Sequence, residues 1–169
     1  MNEQKFITAT IDFVDSKGTL PELQDLVQRL GVGKDEVALF KKSKAYDKLK
    51  FVRSKFSKER QKGFKSFANF YKWYSSQEQK CHYCGTSQDE LKRLFDKKAL
   101  SSSKFSSTLH IEQKRAKKGY TADNCVLACA LCNNAKSDMI NEANFQKYFA
   151  NSVKEFVNDL LLGKITNQI

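Results

Sequence analysis

Proline occurs once in these 169 residues, and histidine only twice, as His82 and His110. So little proline, beside thirteen phenylalanines and a hydrophobic fraction of 40%, excludes a disordered chain and points to a folded, mostly helical one. No apolar run is long enough to span a bilayer, and Met1-Asn2-Glu3-Gln4-Lys5 lacks the apolar core of a signal peptide. We therefore expect a cytoplasmic, intracellular protein with no membrane partner. Acidic residues are also in deficit, 19 against 30 Lys and Arg, leaving a formal charge of +11. A polyanion is the partner that such a charge implies.

The surplus is concentrated. Residues 41–65 hold eleven Lys or Arg against Asp47 and Glu59, with Tyr46, Phe51, Phe56 and Phe64 interleaved. A solvated helix face is the plain explanation of a charge run. Phosphate contact suits one this lopsided better, because each neutralised phosphate releases condensed counterions. We take Lys41, Lys42, Arg53, Lys55 and Arg60 as candidate nucleic-acid contacts. An anionic membrane surface suits the run less well, since its apolar residues read as core anchors.

Along the chain, residues 5–14 read equally as a strand or a short helix. Thr19-Leu20-Pro21-Glu22 offers an N-cap, a first-turn proline and a capping-box Glu for a helix carrying Leu23, Leu26, Val27 and Leu30. A second helix comes after Gly31-Val32-Gly33, so the pair has the form of a helix-turn-helix, a form common in helical proteins generally. The basic run continues as one or two helices. An aromatic helix over residues 64–74 should pack as core against the cysteine-bearing segment that begins at Cys81. Residues 96–108, rich in serine, read as a loop or flexible insertion. Residues 144–162, with Phe145, Tyr148, Phe149, Val153, Phe156 and Leu160 at helical spacing, read as one closing amphipathic helix.

Four of the five cysteines form two Cys-x-x-Cys pairs, Cys81/Cys84 and Cys129/Cys132. Paired knuckles of this kind hold one tetrahedral zinc ion through four thiolates, and a closed four-cysteine site is structural because no position is left for substrate. A RING-like adaptor fits poorly, since it needs two zinc sites and more ligands than four cysteines and two histidines arrange at these spacings. Gly85 suits the tight turn after Cys84, Cys125 reads as a small buried hydrophobe, and His82 as a spacer within the knuckle.

Between and after the pairs lie Leu109-His110-Ile111-Glu112-Gln113, then Lys118-Gly119-Tyr120-Thr121-Ala122-Asp123-Asn124, then Val126-Leu127-Ala128, Asn133 and Lys136-Ser137-Asp138. With Cys81-His82-Tyr83-Cys84-Gly85, this run resembles the HNH, or ββα-metal, endonucleases, in the subgroup clamped by four zinc-binding cysteines. The resemblance implies an α+β fold. A mostly helical, basic, nucleic-acid-contacting part (1–76) would precede a zinc-bound ββα-metal module (77–142) and a closing helix (143–169). It implies metal-dependent hydrolysis of phosphodiester bonds in DNA, most simply double-stranded DNA, in a restriction, phage-defence or mobile-element setting. Double-strand cutting would favour a homodimer.

Carried over by residue, the resemblance makes Glu112 the strand ligand of a catalytic Mg²⁺ or Mn²⁺ and Asn133 the helix ligand. Asn124 stands at the central Asn, Lys136 in reach of a phosphate, and Lys114, Arg115, Lys117 and Lys118 beside the scissile strand. Gln113 departs from the pattern, standing where the base His belongs, and a carboxamide cannot take a proton near pH 7. Three accounts stay open. His110, on the same side of a strand as Glu112, supplies the base or a metal ligand. Alternatively, metal-bound hydroxide attacks without a protein base, with Gln113 only positioning water. In the third account the domain is a catalytically silent zinc-containing DNA-binding protein.

Overall fold

The computed structural model describes residues 2–100 and 105–167, which fall into two compact units, Met1–Ser76 and Gln77–Ile169. The first unit is helical throughout: α1 (Glu3–Lys17), α2 (Leu23–Leu30), α3 (Lys34–Lys41), α4 (Lys44–Lys55), α5 (Lys58–Phe64) and α6 (Phe67–Ser76). The segment that reads equally as strand or helix is thus α1, where Phe6, Ala9, Thr10 and Val14 recur on one buried face. Asn2 caps it through a bond accepted from the Lys5 amide. Helix α2 starts later than Thr19 implies. Its N-cap is Glu22, whose amide donates to Asp25 at 2.7 Å, so Pro21 precedes the helix instead of opening it.

Aromatic rings fill this unit's interior. Phe6 lies 5.0 Å from Phe40, which meets Tyr46 edge-on at 5.4 Å. Phe70 stacks on Phe56 at 5.0 Å and receives the edge of Phe64 at 5.0 Å. The aromatic stretch is core as its pattern implies, and its partners are the α4 and α5 rings. It is not one helix: Lys65 takes φ 67° between α5 and α6. The new start at Phe67 is capped twice. Ser66 Oγ accepts from the Asn69 amide, while the Asp15 carboxylate accepts from the Phe67 and Ala68 amides.

The second unit begins with the first cysteine knuckle and α7 (Gln88–Asp96). That helix opens on a capping-box sequence, Ser87-Gln88-Asp89-Glu90. Ser87 Oγ accepts from the Glu90 amide at 3.2 Å and the Glu90 carboxylate accepts from the Ser87 amide at 2.7 Å. Strands β1 (His110–Gln113) and β2 (Cys125–Ala128) pair antiparallel, His110 opposite Ala128 and Glu112 opposite Val126. Helix α8 (Ala130–Lys136) comes directly after β2 and packs on β1. The serine-rich segment carries more core than its composition suggests, since Leu100 and Phe105 are buried; 101–104 lie outside the described residues.

The closing amphipathic stretch is two helices, α9 (Glu142–Tyr148) and α10 (Ala150–Leu161). They meet at Phe149, whose φ of −121° leaves helical geometry. Asn141 caps α9 by accepting from the Asn144 amide at 2.9 Å. Helix α10 packs on α7, α8 and α9, so it belongs to the body of the second unit. No helix among the described residues is long and apolar enough to cross a membrane.

Asp15 provides the only carboxylate among the described contacts to the start of α6. Replacing it with alanine should cost the unit about 1–2 kcal/mol, the range for losing an N-terminal cap. Urea unfolding followed by Trp73 fluorescence measures it, and an unchanged midpoint would contradict the assignment.

Candidate functional site

The first knuckle is a tight loop whose backbone is bonded to its surroundings. The Cys81 amide donates to the Thr86 carbonyl (2.8 Å), Gly85 to Cys81 (2.9 Å), and His82 to the Leu127 carbonyl of β2 (2.7 Å). Gly85 sits at φ 75° with nothing within 4 Å of where a Cβ would stand, so its backbone conformation selects glycine, not lack of space. The second knuckle opens α8, with Cys129 as N-cap. The four sulfurs lie within 4.8 Å of one another, and Cys84 and Cys129 are 3.7 Å apart. Thiolates on the corners of a tetrahedron with the usual Zn–S bond stand about 3.8 Å apart, so this cluster suits zinc. Hydrogen bonding to Cys129 and Cys132 pushes the Cys81 thiol far down, whereas hydrogen bonding to Cys129 and Cys81 pushes Cys132 up.

The clamp holds β2 and α8 against the strand that carries the polar residues. On β1, alternate side chains share a face. His110 and Glu112 point toward α8 and meet its polar side: Asn133 Nδ2 lies 3.5 Å from His110 Nδ1, and Lys136 Nζ lies 2.8 Å from Glu112 Oε1. The Asn133 amide can turn either its oxygen or its nitrogen inward. Glu112 oxygen and the Asn133 amide oxygen are suitable donors for a hard divalent cation, with His110 beside them. Gln113, one residue along the strand from Glu112, lies opposite Cys125.

Lys136 departs from the phosphate-contacting role that the resemblance implies. Its side chain is 1% exposed, and it donates to Glu112 Oε1, to the Gln113 carbonyl (3.1 Å) and to the Ser137 carbonyl (3.1 Å). All three ammonium hydrogens are committed inside the protein.

Asn124 is buried and works on the basic loop. Its oxygen accepts from the Arg115 amide (3.1 Å), and its nitrogen donates to the Arg115 (3.0 Å) and Gly119 (2.7 Å) carbonyls. The loop so pinned contains a 3-10 turn, Ala116–Lys118, and ends at Gly119 with φ 71°. Arg115, Lys117 and Lys118 are exposed, with Lys114 half-buried. In the first unit the run of charge is spent differently from expectation. Arg53 donates to the Phe56 and Gly18 carbonyls, Arg60 to the Lys55 carbonyl, and Lys41 to the Pro21 carbonyl at 3.1 Å. Burial, followed by the Arg60 charge, lowers the Lys55 pKa. Lys42 is exposed, as are Lys44, Lys48, Lys50 (paired with Asp47), Lys58, Lys62 and Lys65.

Two residues near the site carry no obvious sequence signal. Tyr83, a knuckle spacer, packs edge-on against Phe145 at 5.0 Å. Its buried hydroxyl has no hydrogen-bond partner among the described residues. Burial first, and the Glu112 charge second, push its pKa up, so the phenol stays protonated and cannot stand in for a missing base near neutral pH. His82 is a spacer as expected, with a further contact to Glu142 at 2.9 Å that joins the knuckle to the start of α9.

Purified protein should contain about one zinc per chain, and Cys132→Ser should lose it together with the cooperative unfolding of the second unit. Metal analysis beside circular dichroism checks this. Asn124→Ala should destabilise the same unit by about 1–3 kcal/mol, because one amide and two carbonyls of the loop lose their partner. Thermal unfolding measures that loss, and a change within error would mean the loop holds its shape without Asn124.

No family profile matches the chain, and no curated protein matches it in sequence. Among solved structures it is similar to the rare-cutting HNH restriction endonuclease PacI, at 22% identity and a TM-score of 0.50, over 67% of this chain and 78% of that one. A paired hairpin, a helix on its face and a four-cysteine cluster joining them are the elements expected of the zinc-clamped form. In fold, the chain resembles that HNH endonuclease, and its second unit gathers a four-cysteine cluster.

Proposed function

We propose that the chain is a metal-dependent endonuclease that hydrolyses phosphodiester bonds in double-stranded DNA, with a structural zinc and a catalytic Mg²⁺ or Mn²⁺. The observation that carries this reading is the contact of His110 with Asn133 beside the Glu112–Lys136 pair, between β1 and α8, in a fold like that of an HNH endonuclease. Glu112 and Asn133 would hold the divalent ion, which when bound offsets charge on the scissile phosphate and the departing oxygen. His110 is the protein base. It shares the Glu112 face of the strand, is half-buried, and has a ring nitrogen directed at Asn133. Gln113 can orient water but cannot accept its proton.

Lys114, Arg115, Lys117 and Lys118 of the loop 114–118 would contact the phosphate backbone, a reading supported by the bonds through which Asn124 holds the loop. The exposed lysines of α4 and α5 add sequence-independent affinity. We infer an intracellular, DNA-associated setting such as restriction, phage defence or a mobile element, and a two-fold dimer in which each copy cuts one strand.

A second reading is a DNA-binding protein that does not cut. It is favoured by the ion pair between Glu112 and Lys136, which already occupies one carboxylate oxygen of the expected metal ligand. Plasmid nicking separates the two. Wild type should nick supercoiled DNA with Mg²⁺ or Mn²⁺ and not with EDTA. Glu112→Ala and His110→Ala should each lower the rate by about 10²-fold or more while DNA binding stays intact. Cleavage that survives His110→Ala would remove the base assignment. Salt-dependent binding with no cleavage by wild type under either ion would establish the binder.

A further inference from the structure

The second unit buries a cation that the proposed cleavage chemistry leaves unused. Lys136 is 1% exposed, yet its ammonium is fully satisfied: Glu112 Oε1 at 2.8 Å, the Gln113 carbonyl at 3.1 Å and the Ser137 carbonyl at 3.1 Å. The third acceptor depends on an unusual backbone. Ser137 ends α8 at φ 44°, in the left-handed region that L residues seldom adopt. Glu112 is thereby held by one oxygen alone. Oε2 has no donor among the described residues, and the side chain is 14% exposed, so the free oxygen retains access to solvent.

A hard divalent cation gives up water mainly for anionic oxygen, and Mg²⁺ in particular is held through one or two carboxylates plus substrate phosphates. Here the carboxylate charge is offset by an ammonium in direct contact, and that ammonium repels an incoming dication. Asn133 and His110 add dipoles and no negative charge. The protein alone therefore offers an oriented oxygen but little net attraction. A nucleic-acid phosphate brings the missing negative charge and a second hard oxygen.

We propose that Lys136 is a positioning residue that orients Glu112 and balances its charge, so that the site takes up its divalent ion together with a DNA phosphate and only weakly before. This inference rests on the reading of Glu112 as a metal ligand. Metal occupancy and DNA binding are then reciprocally coupled, each raising the affinity of the other by the same factor.

The test is a Mn²⁺ titration of the zinc-loaded full chain, with free Mn²⁺ read by electron paramagnetic resonance, alone and with a short DNA duplex. Glu112→Gln protein subtracts the Mn²⁺ held by the duplex itself. In wild type the duplex should raise Mn²⁺ affinity by about tenfold or more. Lys136→Met, which keeps the length and drops the charge, should bind Mn²⁺ about tenfold tighter than wild type without DNA, and the effect of the duplex should shrink. Lys136→Arg should restore wild-type behaviour.

Equal Mn²⁺ affinity of wild type with and without the duplex would overturn the coupling, whether or not Lys136→Met folds. A folded Lys136→Met chain with wild-type or weaker affinity would overturn the role of the lysine. If no protein takes up Mn²⁺ through Glu112 under any condition, the metal site itself is refuted, and this inference with it.

Discussion

The sulfurs of Cys84 and Cys129, 45 positions apart in the chain, stand 3.7 Å from each other, and the second unit is arranged around that approach. Four thiols gathered this tightly in a buried place are stable only around a cation. Its binding energy fixes where the first knuckle, the end of β2 and the start of α8 must be. A two-stranded hairpin is marginal in water by itself. Here it is joined at one end to the four-cysteine cluster and covered on one face by α8, so a short sheet keeps its register. That register sets the site: with Glu112 opposite Val126, His110 and Glu112 face the helix, and a slip by one residue would turn both away.

The candidate site sits where this rigidity meets unbalanced polarity. A buried ammonium and a nearly buried carboxylate in contact cost solvation that their attraction only partly returns, so the pair is a poor way to gain stability. An apolar pair of similar volume would serve the core at least as well. The arrangement makes physical sense as a device that orients the Glu112 carboxylate. Strain supports the same view. Ser137 holds a backbone conformation costing about 1–2 kcal/mol, and what it gains is a carbonyl aimed at Lys136.

Much of this was legible in the sequence because the relevant signals are local. Two Cys-x-x-Cys pairs specify a metal cluster by spacing, and strand alternation puts His110 beside Glu112 and away from Gln113. What escaped depends on tertiary partners. Residues 5–14 have no decisive period, and only the rings of Phe40 and the other helices make Phe6 and Val14 one face of α1. The break at Phe149 leaves no Gly or Pro to mark it, since Phe145 and Phe149 remain stacked at 5.6 Å across it. Helix α7 is the instructive miss. Its capping box was readable, but Leu91 and Leu94 alone make a short apolar stripe.

Charge is where sequence counting misleads most, and the reason is geometric. Residues 41–65 suggest eleven phosphate-seeking cations, but a long basic side chain can also satisfy the carbonyls that helix ends leave open. In the first unit Arg53 and Arg60 do so, joining Gly18, Lys55 and Phe56, where helices α1, α4 and α5 stop or start. Lys136 does the same at the end of α8, with a carboxylate added. Such residues contribute to net charge at long range but not to the count of released counterions. The salt dependence of the proposed DNA binding should therefore follow the exposed set, Lys42, Lys44, Lys48, Lys50, Lys58, Lys62 and Lys65 with the loop at 114–118, and be shallower than +11 implies. The inward-turned arginines would instead register as stability, because removing one leaves helix-end carbonyls without that donor.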